Sequence, residues 1–137
     1  MDVLKAVETI KHKFAENGGS ARIPLLKGDS FTATLTKEGI MVDNLRSQPF
    51  LPWAVFQEAI CLLIRNGGRV ERGDAMGSKL GEPGLPLDSI EGHIAQVVYG
   101  KRPADSVFRR VTPVACILVW AGICAAAPHK IKLRELT

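Results

Sequence analysis

Between Arg69 and Arg110 the chain sets out side chains suited to gripping a polyanion and reading its edges. Ser89, Gly92, His93 and Gln96 share one side of a predicted helix, with little bulk and no carboxylate among them. A helix that enters the major groove of DNA wants such a face. Glutamine pairs bidentately with adenine, and serine or histidine reaches base edges or phosphates. Arg69 and Arg72 precede this helix, and Arg109 and Arg110 follow it. Guanidinium groups placed this way hold phosphates, which positions a protein without reading sequence. Arg109-Arg110 is the freest pair, because no acid lies within two residues of it. Arg69, Arg72, Ser89, His93, Gln96, Arg109 and Arg110 are therefore the candidate nucleic-acid contacts.

Other chemistries find less support. Asp74, Asp88, Glu91, His93 and the cysteines are the only catalytic candidates, and no nucleophile stands at a recognisable spacing from a base and its orienting group. Segment 73–84 carries Gly73, Gly77, Gly81 and Gly84, but Gly77-Ser78-Lys79 lacks the order and spacing of a phosphate-binding P-loop. No cofactor, metal or catalytic role is expected. An enzyme acting on a small phosphorylated ligand ranks third among the functional readings.

The elements that must position these residues follow from pattern. Asp2 caps a first helix to about Asn17, with Val3, Val7, Ile10 and Phe14 as its buried stripe. Phe31, Ala33 and Leu35 alternate with threonines, and Lys37-Glu38-Gly39 supplies a turn, so residues 31–44 read as a β-hairpin. Pro52 opens a helix over Trp53–Asn66 that buries Trp53, Phe56, Ile60, Leu63 and Ile64. Asp74 and Gly81 bracket a short helix over Ala75–Leu80. Asp88-Ser89-Ile90-Glu91 has the form of a capping box for a helix to Tyr99, whose core side is Ile90, Ile94, Val97 and Val98. Thr112 and Pro113 start a last helix to about Ala126. Lys130–Arg134 alternates as a strand that joins the hairpin.

The order of helix, short helix and capped helix over Trp53–Tyr99 is similar in outline to helix-turn-helix and winged-helix units. That resemblance implies duplex DNA as partner and the Ser89–Tyr99 helix as its reader.

Composition is compatible with this. The 137 residues predict one domain covering 1–137, and the net charge of +4 permits a local basic patch without demanding one. Three cysteines with no Cys-x-x-Cys pattern read as free buried thiols, hence a cytoplasmic protein. Charged residues interrupt the N-terminal apolar positions, so no signal peptide is expected. The uncharged run Val114–Ala127 falls short of the roughly 20 residues a membrane span needs. It is expected to be a central helix. Alternatively, Ala115, Ile117, Trp120 and their small neighbours meet a second copy of the chain, making the protein a homo-oligomeric interaction module without chemistry of its own. The expectation is an α+β fold of four to five helices with a small antiparallel sheet, and a DNA-binding or DNA-associated regulatory function.

Overall fold

The computed structural model describes residues 2–134 and there shows an α+β fold of four helices and two antiparallel sheets. Helix α1 (Val3–Glu16) begins where expected, with Asp2 Oδ1 accepting from Lys5 N at 2.7 Å. Its apolar stripe buries Ala6, Val7, Ile10 and Phe14. A four-stranded meander follows: β1 (Ser20–Pro24), β2 (Ser30–Leu35), β3 (Gly39–Val42) and β4 (Phe50–Pro52). The expected hairpin is its centre, with Ala33 opposite Val42 and Leu35 opposite Ile40. Burial alternates along it, leaving Phe31, Ala33, Ile40 and Val42 in the core.

Helix α2 (Trp53–Arg65) starts behind Pro52 and is the hub of the core. It buries Val55, Phe56, Ala59, Ile60, Leu62 and Leu63. Trp53 is only half-buried and Ile64 is 43% exposed, so two residues of the expected stripe lie off it. The buried face is rotated because α1 and α3 both pack on this helix.

Helices α1 and α2 end alike. Asn17 Nδ2 donates to Lys13 O and Asn66 Nδ2 to Leu62 O, each at 2.8 Å. Gly18-Gly19 and Gly67-Gly68 all take positive φ, between +75° and +92°. Gly19 N then bonds back to Phe14 O, and Gly68 N to Leu63 O. This is the double-bonded helix stop that only glycine adopts cheaply. In both cases it launches a strand directly: β1 after α1 and β5 (Arg69–Glu71) after α2.

Three expectations for the second half are corrected. First, Ala75–Leu80 is a chain of turns, not a helix. Asp74 Oδ1 accepts from Met76 N and Gly77 N, an Asx turn that competes with helical bonding. Leu80 is pinned to the 104–105 backbone instead. The middle helix of a helix-turn-helix unit is thus absent. Second, the last helix, α4 (Val111–Trp120), stops at Gly122, and Cys124–Ala127 is strand β6. Third, β7 (Lys130–Leu133) does not join the hairpin. It forms the centre of a second sheet, ordered β5-β7-β6. The positive-φ glycine at position 122 turns the chain early enough for β6 and β7 to pair with each other.

Helix α3 (Ile90–Val97) is capped by Ser89, not Asp88: Ser89 Oγ accepts from Gly92 N at 3.0 Å and donates to Pro86 O at 2.7 Å. Asp88 is exposed, one residue outside the cap. Helix α4 is a central helix, burying Val111 and Pro113–Leu118. Ala115 and Ile117, expected to meet a second copy, are buried within the chain, and Trp120 lies against Phe14 with ring centroids 4.8 Å apart. No helix among the described residues is long and apolar enough to cross a membrane.

Two measurements check this packing. Ser89→Ala should cost about 1 kcal/mol in chemical denaturation and Asp88→Ala a small fraction of that, the reverse of a capping box led by Asp88. Equal losses would remove Ser89 as the cap. Burial pushes the Cys116 thiol up and the Cys124 thiol to about 12, whereas Cys61 is half-buried. A thiol reagent should therefore label Cys61 first in the native protein and the other two only on unfolding. Fast native labelling of Cys124 would contradict the strand assignment of β6.

Candidate nucleic-acid interface

The second sheet is built from three short pieces with opposite faces of different character. Val70 and Ile131 are Cα partners and both are buried. The alternate positions, Arg69 opposite Lys132 and Glu71 opposite Lys130, point the other way. Arg69, Lys132 and Arg134 are exposed. With Ile64, Gly67, Gly68 and Leu133 they line an open groove of about 470 Å³ in which no carboxylate takes part among the described residues. Gly68 O accepts from Leu133 N at 2.7 Å, so the glycine pair that ends α2 also forms the groove floor.

Arg69 directly across from Lys132 is an unfavourable pairing for the sheet itself, since like charges in register repel. Glu71 stands opposite Lys130 on the same face, one pair along.

The structure scatters the seven residues singled out from the sequence. Arg69 lies in the groove. Arg72 sits one residue beyond β5, half-buried, with its N–H on His129 O at 3.0 Å. Arg109 is exposed, and its guanidinium holds Thr112 Oγ1 at 2.6 and 2.9 Å. Arg110 is 2% exposed. The face Ser89, Gly92, His93, Gln96 is not a reading surface: the first three are buried and Gln96 alone is exposed. The loop before α3 covers that face. A Cβ at residue 92 would collide with the Pro86 carbonyl, so Gly92 exists for close packing and not for a groove. His93 Nε2 lies 3.0 Å from Glu58 Oε1 and ties α3 to α2.

Lys132 and Arg134, which complete the groove, were visible in the sequence only as polar positions of an alternating strand. Their signal is that alternation: lysine and arginine at every second residue place all their charge on one face. What sequence order hides is that β5, some sixty residues earlier, brings Arg69 to the same face.

Glu91 is the second feature that pattern reasoning misplaces. It does not complete a capping box. Its carboxylate is fully buried and accepts from Arg110 N at 2.8 and 3.0 Å and from Val111 N at 2.9 Å. Helix α4 has no side-chain cap of its own, so Glu91 caps it from α3. Burial pushes the Glu91 carboxyl up to about 7, an effect the backbone bonds only partly offset.

Among the described residues no cluster of histidine, cysteine or carboxylate side chains is fit to hold a metal ion. Comparison with protein-family models, curated proteins and solved structures finds no match to this chain.

The raised Glu91 carboxyl has a definite sign for stability. The unfolded chain ionises this group near 4.5 and the native chain near 7, so between those values the native state binds more protons. The contribution of this group is then fully present below the unfolded value and is lost as pH rises through 7, by at most roughly 3 kcal/mol. Urea titrations at about pH 5 and about pH 8 should show this loss in the native sequence and a smaller one in Glu91→Gln, which cannot ionise. Identical pH slopes would show that Glu91 ionises normally.

Proposed function

We propose that this protein binds nucleic acid, duplex DNA in the first instance, through phosphate contacts on the second sheet. The observation that carries this reading is the row Arg69, Lys132 and Arg134 along one open groove whose lining, among the described residues, holds no carboxylate. A ribbon of strands whose one face carries four cations, Arg69, Lys130, Lys132 and Arg134, and one acid, Glu71, matches the repeating charge of a phosphate backbone. Gly67 and Gly68 contribute main chain to the lining, beside Ile64 and Leu133, which leaves part of the groove free of bulky side chains. Binding of this kind is largely independent of base sequence. Recognition by a helix in the major groove forms no part of the proposal, because the expected reading face of α3 is buried. A cytoplasmic, cofactor-free, DNA-associated role accords with three free cysteines and a basic surface row.

Fluorescence anisotropy with a labelled duplex at low salt is the direct test. The affinity should fall with salt at a slope of about −0.9 per phosphate contact. Arg69→Ala with Lys132→Ala should weaken binding to all sequences alike and reduce the slope by about two. Gln96→Ala and Arg109→Ala should change little. A folded sample that binds no duplex at tens of micromolar would end this reading, and so would undiminished binding by the double variant.

A further inference from the structure

A second cavity lies on another part of the molecule, and neither the groove nor the capping of α4 accounts for it. It measures about 160 Å³ and is lined by Gln48, Glu91, Tyr99, Lys101, Phe108 and Arg110, with Ala95 and Val107 supplying apolar wall. That is close to the size of the roughly 150 Å³ engineered cavity that accepts benzene.

Its polar lining carries more donors than the acceptors around it satisfy. The Arg110 guanidinium is almost wholly buried, yet among the described residues no carboxylate lies within salt-bridge distance of it. It makes one good bond, Nη1 to Ser47 O at 2.7 Å, and a long one, Nη2 to Gln48 Oε1 at 3.4 Å. A guanidinium carries five N–H donors, and a buried cation left without a counter-ion is costly. The Tyr99 hydroxyl is buried, makes no hydrogen bond of good geometry among the described residues, and lies beside the Arg110 guanidinium. Burial pushes its ionisation up, so it stays a donor. Lys101 Nζ stands 5.3 Å from the Phe108 ring centre, adding a second cation to the lining. The centres of the Tyr99 and Phe108 rings lie 5.5 and 5.8 Å from the Arg110 central carbon, within reach of a cation–π contact. Glu91 is the single acid of the lining among the described residues, and its oxygens already accept two backbone N–H groups.

We propose that this cavity binds a small organic oxyanion: a carboxylate or phosphate on a flat apolar body no larger than one ring. The oxyanion takes bonds from Arg110 and the Tyr99 hydroxyl and faces Lys101. The ring fills the space between Phe108, Val107 and Ala95. The planar fork of an arginine matches a carboxylate bidentately, and a phosphate oxygen pair satisfies it equally. The site stands independently of nucleic-acid binding, because it shares no residue with the basic groove.

The test uses benzoate and phenyl phosphate as probes, with benzyl alcohol as the neutral counterpart, in ligand-observed NMR and amide shift mapping of the full chain. Benzoate or phenyl phosphate should bind at millimolar concentration, shifting the amides of Tyr99, Lys101 and Phe108, and benzyl alcohol should bind at least about tenfold more weakly. The stronger of the two anions tells carboxylate from phosphate as the natural group. Arg110→Lys tests the fork but risks the fold. Tyr99→Phe removes only the hydroxyl and keeps the ring, so it should remain folded and lose about tenfold in anion affinity. Lys101→Gln should lose less. Arg69→Ala with Lys132→Ala should bind the anion as the native chain does. Failure of both anions to bind the folded native protein would overturn the proposal. So would equal binding of benzyl alcohol, or a Tyr99→Phe variant with unchanged affinity.

Discussion

One buried carboxylate joins the parts of this protein that local structure leaves separate. Glu91 belongs to α3, its N–H donates to Arg72 O just beyond β5, and its oxygens accept from the first turn of α4. The central helix of the core therefore begins on a side chain from another helix, about twenty residues earlier. The arrangement removes two orphan N–H donors and places a negative or hydrogen-bonding group at the positive end of the α4 dipole. It also fixes Arg110, whose backbone is held by Glu91 while its side chain turns to Ser47 and the cavity. The cavity thus has its two most deeply buried charged residues positioned by one contact.

What the sequence revealed and what it hid divide along the range of the interactions. Helices α1 and α2, the hairpin of β2 and β3, and the existence of α3 are each specified by residues within a few positions of one another. Asp2 with Lys5 and the alternation Phe31, Ala33, Leu35 are of this kind. Residues 75–80 were ambiguous, because an aspartate before a small-residue run can cap a helix or close an Asx turn, and long-range bonds to the 104–105 backbone decided for the turn. At Asp88-Ser89 two adjacent capping residues competed, and the hydroxyl won because it also reaches Pro86 O.

The candidate site was the least legible part. A wheel drawn for α3 correctly showed a low-bulk side at Gly92 and His93. It gave no sign that the Pro86 carbonyl and Glu58 would occupy that side. Low bulk on a helix means close approach, and the approaching object was the chain's own loop. Arginine runs were equally ambiguous: of two adjacent arginines, Arg109 is on the surface and Arg110 is in the interior. Alternation along the last strand was the more dependable guide, because the period of two assigns faces without any knowledge of the partner strand.

The two sheets differ in how far along the chain their partners lie. The meander pairs neighbours through short turns, and its strands all fall between Ser20 and Pro52. In the second sheet β6 and β7 also meet locally, but β5 pairs with β7 across α3, α4 and the long loop between α2 and α3. Closing so long a loop comes with an entropy cost that local hairpins escape, and such pairings form late. Arg69 and Lys132 therefore come face to face only when the chain from α2 to the last strand is in place, so the basic groove is a feature of the completed fold. A chain whose last strand has not docked lacks the assembled cationic row, which makes the charge pattern of the surface a report on the folding state of the whole.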